Sequence, residues 1–89
     1  MSAERIGRRR GVRVHLWGEL GFYGPGREGR FEYPVQGERP LLEVLREMGV
    51  PAADVTVAGL NGEIVRVEDR SLVVCDRDRL DLFPPSSGG

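Results

Sequence analysis

Lysine is missing from this 89-residue chain, and all 13 of its basic residues are arginine. Its only ordinary amine is therefore the α-amino group. The single cysteine, Cys75, rules out an internal disulfide framework. It also rules out zinc or iron–sulfur centres held by several thiolates. Long hydrophobic runs are lacking too: nothing approaches the roughly 18 apolar residues of a membrane span. The start of the chain is charged with no apolar run behind it, so no secretory leader is expected and a cytoplasmic location is. The net charge of -1 provides no general attraction to nucleic acid or membrane, and neither is expected as a partner. The length suits one domain near the lower limit for an unstapled core.

Residues 1–11 carry Arg5, Arg8, Arg9 and Arg10 with Ile6 as the one sizeable apolar side chain, which reads as a disordered basic arm. Val12, Val14 and Leu16 then alternate with Arg13, His15 and Trp17, the period of a half-buried strand. A glycine-rich loop over 18–29 leads to a second alternation in Phe31, Tyr33 and Val35. Pro40 suits a first helical position, and Leu41, Val44, Leu45 and Met48 form one apolar stripe behind it. Gly49 is placed to end that helix in a left-handed cap, and Pro51 keeps it from resuming. Val55 and Val57 read as part of a strand entering an Asn61-Gly62 type I′ turn, with 63–67 returning. Residues 72–74 fit a short strand or a turn, and Leu80 and Leu82 belong to a last strand that Pro84-Pro85 stops. One helix on a mixed sheet is an α+β arrangement, with the domain over 12–83 and a flexible tail over 84–89. Val14, Leu16, Leu41, Val44, Leu45, Val57, Leu80 and Leu82 are its expected core.

That element order is similar to the β-grasp fold of ubiquitin, with one main helix packed on a mixed four- to five-stranded sheet. Within that fold the chain resembles the ubiquitin-like sulfur carriers: the small subunit of molybdopterin synthase and the thiamine-pathway carrier. The residues behind the resemblance are Leu60-Asn61-Gly62-Glu63, Asp76-Arg77-Asp78-Arg79-Leu80, and Phe83-Pro84-Pro85 followed by Gly88-Gly89. The family commonly has glycine where Arg77 stands, which strains the backbone here if φ is positive. Gly/Ser stretches are also common linkers, but this one follows directly on a final strand and two prolines.

The resemblance implies that an adenylating enzyme activates the Gly89 carboxylate with ATP. Sulfur from a donor such as a cysteine desulfurase or rhodanese then displaces AMP to leave a thiocarboxylate. The large subunit of molybdopterin synthase would use it, making the chain a co-substrate or small subunit rather than an enzyme, with no cofactor of its own. Gly88 and Gly89 lack the Cβ that would hinder entry into a narrow tunnel. The six residues from Pro84 span at most about 20 Å, and Pro84 and Pro85 stiffen the base. Trp17 and Phe83 alternate away from the core residues of their strands, so both belong on the sheet face opposite the helix. They either meet partners there or lie under the loop 18–29. His15 has no nucleophile at a recognisable spacing, Cys75 reads as a small buried hydrophobe, and Asp76, Asp78 and Asp81 as a solvated turn rather than a cation site. The glycine-rich loop and the Phe-Pro-Pro base favour molybdopterin or tungstopterin synthesis. A thiamine-thiazole carrier, a protein modifier joined to target lysines, and a β-grasp binding module that merely ends in glycine are the alternatives.

Overall fold

The structure is a computed structural model that describes residues 11–85. The basic arm up to Arg10 and residues 86–89, including Gly88 and Gly89, lie outside them. Strands β1 (Gly11–Leu16), β2 (Arg30–Pro34), β4 (Val57–Leu60), β5 (Glu63–Val65) and β7 (Arg79–Phe83) form one sheet in the order β2-β1-β7-β4-β5. The central pair β1–β7 is parallel and the other pairs are antiparallel, as the β-grasp expectation requires. Helix α1 (Leu41–Met48) crosses one face. Its buried Leu41, Val44 and Leu45 pack in one cluster with Val12, Val14 and Leu16 of β1 and Leu80 and Leu82 of β7. A two-stranded ribbon of β3 (Arg39–Pro40) and β6 (Val73–Val74) flanks the sheet, so the segment at 72–74 is a strand.

Several local signals fold as their chemistry dictates. Gly49 caps α1 at φ 81°, with its N–H donating to the Arg46 carbonyl. Asn61 and Gly62 both take positive φ, 54° and 88°, as a type I′ turn demands. Arg77 stands at φ 76°, so the departure from glycine at this position does place a bulky residue in the left-handed region.

Four expectations are corrected. Gly11, assigned to the arm, is the buried first residue of β1: it pairs with Pro34, and its carbonyl accepts from Arg77 N–H at 2.8 Å. Pro40 precedes the helix rather than opening it, since its ψ of 135° is extended and it pairs with Val73. β5 stops at Val65 instead of Val67. Val57 is 37% exposed and not in the core. The register explains this last miss. Val57 lies opposite Phe83 and Ala58 opposite Leu82, and residues paired across strands share a face. Leu82 is fully buried, so Ala58 is the core residue of β4 and Val57 faces outward.

Candidate functional site

The outer face of the sheet, opposite α1, is built from the alternate residues of each strand. β1 contributes Arg13 and His15, with Trp17 just beyond its end; β7 contributes Arg79, Asp81 and Phe83; β4 and β5 contribute Val57, Gly59 and Ile64. Three rings stack along it. His15 lies 3.8 Å from Trp17 between centroids, and Trp17 lies 5.3 Å from Phe83. The Trp17–Phe83 separation is that of an attractive aromatic pair. Trp17 remains 40% exposed and Phe83 half-buried. The loop over 18–29, whose cover over them was one of the two alternatives, forms 3-10 turns at Gly18–Tyr23 and Pro25–Arg27, and sends Leu20 into the core.

Asp81 organises this stack. Its Oδ1 accepts from the Trp17 indole N–H at 3.0 Å and lies 3.7 Å from His15 Nδ1, while Oδ2 lies 3.6 Å from Arg79 Nε. The indole is thus fixed edge-on by a charge-assisted bond and face-on by Phe83. Beside it, Val57 and the 80% exposed Ile64 flank Gly59, leaving an apolar groove that runs to Phe83. Exposed apolar side chains gathered at one place mark contact surfaces more often than scattered ones do.

The end of β7 is held by hydrogen bonds from both sides. Trp17 N–H donates to the Leu82 carbonyl at 2.9 Å, and Thr56 N–H donates to the Phe83 carbonyl at 2.9 Å. Pro84, half-buried, and Pro85, exposed, follow with no N–H to continue either ladder. Of the residues assigned to the site from sequence, the structure brings Trp17, Phe83, Pro84 and Pro85 to one corner; Gly88 and Gly89 lie beyond the described residues. Asp81, Thr56, Val57 and Ile64 were not assigned to it. Asp81 was legible in principle, since it stands two residues before Phe83 in a strand and shares its face. Val57 and Ile64 required the register.

The remaining candidates are occupied structurally. Asp78 Oδ2 accepts from Cys75 N–H at 2.8 Å and Oδ1 from Asn61 Nδ2 at 3.0 Å, tying the late turn to the Asn61-Gly62 hairpin. Among the described residues no group of three or more His, Cys, Asp or Glu could hold a metal ion. Burial, with the charges of Asp78, Glu38 and Asp76, pushes the Cys75 thiol up, so it is a poor source of thiolate. No described helix is long and apolar enough to cross a membrane.

Comparison with known proteins adds one match. The profile described as ThiS family matches residues 22–89, running through the outer-face strands β4, β5 and β7 and on to Gly89. No match is found among curated proteins. The chain belongs to the ThiS family, small ubiquitin-like sulfur carriers that are not enzymes in themselves.

Proposed function

We propose, on the premise of that membership, that the chain carries sulfur as a thiocarboxylate on Gly89 for molybdopterin or tungstopterin synthesis. The observation that carries this reading is the extent of the family match. It continues past Phe83, where the sheet lets go of the chain, through Pro84-Pro85 to Gly88-Gly89. A carboxylate ionised at neutral pH is a poor electrophile, its reference pKa being about 3.5. Attack by that carboxylate on the α-phosphate of ATP releases pyrophosphate and leaves an acyl-adenylate. The terminal sulfur of the donor's persulfide then displaces AMP to give an acyl disulfide, and a thiol reduces this to the thiocarboxylate, leaving the donor cysteine in a disulfide with that thiol. The groove at Val57, Ile64 and Phe83, with Trp17 stacked on Phe83 beside it, supplies a docking surface for the activating enzyme. The large subunit of molybdopterin synthase receives the sulfur-loaded tail.

The glycine-rich segment over 18–29 and the Phe83-Pro84-Pro85 base support the pterin branch. The name of the matched family favours a second reading, a thiamine-thiazole carrier, with the same chemistry at Gly89 and a different acceptor. Incubation with activating enzyme, ATP and a sulfur donor should replace one oxygen by sulfur in the intact mass, located on the C-terminal fragment. An unchanged mass, or a change that persists when Gly89 is deleted, overturns the assignment. Supplying the sulfur-loaded chain to pterin-synthase and thiazole-synthase large subunits in parallel separates the two acceptors.

A further inference from the structure

Two consecutive residues, Trp17 and Gly18, touch residues 81–84 one after another, through the end of the last strand and just past it. The Trp17 indole N–H binds Asp81, the Trp17 backbone N–H binds the Leu82 carbonyl, and the Trp17 ring stacks on Phe83. The fourth contact belongs to Gly18. A Cβ at that position would lie 3.1 Å from Pro84 Cγ and 3.7 Å from its Cδ, so the proline ring rests on the bare Cα. Gly18 also stands at φ +57°, where a side chain is strained. Hydrogen bonds steer the strand as far as the Phe83 carbonyl, held by Thr56. Beyond it neither Pro84 nor Pro85 has an N–H to donate to a ladder, and the packing of Pro84 on Gly18 is the next contact along the chain.

We propose that Gly18 is the seat of Pro84 and sets the direction in which the chain leaves β7, which makes it a positioning residue for the reaction at Gly89. This rests on the thiocarboxylate reading above. The docking groove and the aim of the tail are then separate devices: Val57, Ile64, Trp17 and Phe83 hold the partner, while the Gly18–Pro84 contact directs the tail into it. Reaction rates are sensitive to placement, and a shift of about 1 Å in a reacting group can cost about a hundredfold.

Gly37 supplies a strain-matched control, because it stands at φ +69° with nothing within 4 Å of a Cβ built there. Steady-state adenylation by the activating enzyme, with the carrier as varied substrate, should show a kcat about tenfold lower for Gly18→Ala with KM unchanged. Gly37→Ala should match wild type in both constants while losing a comparable amount of thermal stability. Pro84→Ala should lower kcat as well, and the double variant Gly18→Ala/Pro84→Ala should be no worse than the poorer single, since both remove one contact. In the free wild-type protein, nuclear Overhauser contacts should join the Gly18 α-protons to the Pro84 ring. Wild-type kcat for Gly18→Ala, an equal fall for Gly37→Ala, additive effects in the double variant, or absence of those contacts each overturns the proposal. If the wild-type chain is not adenylated at all, the carrier reading falls, and the Gly18–Pro84 contact is judged on the nuclear Overhauser result alone.

Discussion

Leu45 and Arg77 mark the two ways a single residue matters in this chain. Leu45 lies on the buried stripe of α1 at 1% exposure, against β1 and β7. Truncating it to alanine removes buried methyl groups and leaves a cavity. Chemical denaturation of Leu45→Ala should therefore show a loss of about 2–5 kcal/mol; a loss well under 1 kcal/mol would mean the stripe is not core. Arg77 works the other way. Its side chain is exposed, and its 3.9 Å approach to Asp76 is a surface ion pair of little worth. Its backbone is committed to φ 76° all the same, because the turn must deliver Arg77 N–H to the Gly11 carbonyl. Arg77→Gly should relieve a left-handed penalty of roughly 1 kcal/mol, partly offset by the entropy of the freer unfolded chain. A melting temperature at or above that of wild type is expected, and a clear fall would contradict the strain argument.

At the scale of elements, α1 and its neighbours carry a pH-dependent clasp. Glu47 on the helix accepts hydrogen bonds from Arg39 of β3 and from the Tyr33 hydroxyl of β2, and Arg39 also binds Glu43. The Arg39 guanidinium, and then the Tyr33 hydroxyl, hold the Glu47 carboxyl below the usual range. A depressed folded pKa contributes stability above the unfolded value of about 4.3, and that contribution is lost as the pH falls through the folded value. Glu47→Gln should thus melt below wild type near neutral pH, and the difference should shrink as the pH falls below the unfolded value of about 4.3. A pH-independent difference would show that the charge is not what matters. The outer face of β1, β7 and β4 makes a different demand. Trp17→Ala and Phe83→Ala should each weaken binding to the activating enzyme about tenfold or more by calorimetry, as loss of a buried aromatic anchor does. Unchanged affinity for both would remove this face from the interface.

For the whole molecule, we propose that the domain and the tail that follows Pro85 are energetically separate. Among the described residues, the last held by backbone hydrogen bonds from the sheet is Phe83, and the core cluster contains nothing beyond Leu82. Deleting Gly89, or replacing Gly88 by valine, should leave the melting temperature within about a degree of wild type, since such a segment adds little buried surface. The same variants should abolish sulfur loading. A large fall in melting temperature would mean the tail packs on the domain; sulfur loading that survives, on Cys75 for instance, would refute the mechanism.

The order of the five sheet strands around the helix, the helical stripe, the Gly49 cap and the Asn61-Gly62 turn were legible in the residues, because each follows from periodicity or from a φ that few residues tolerate, whereas β3 was not. So was the placing of Trp17 and Phe83 on one face, which the alternation within a single strand decides. The exposure of Val57 was not legible. β4 is four residues long, and a shift of one residue exchanges its two faces, so only its pairing with the buried Leu82 could choose between Val57 and Ala58. The arm boundary failed for a like reason, since Gly11 enters β1 through a bond from Arg77, distant in sequence. The hub role of Asp81 and the seat of Pro84 on Gly18 depend on β1 and β7 lying side by side in parallel. That juxtaposition joins residues over 60 positions apart, which no local pattern encodes.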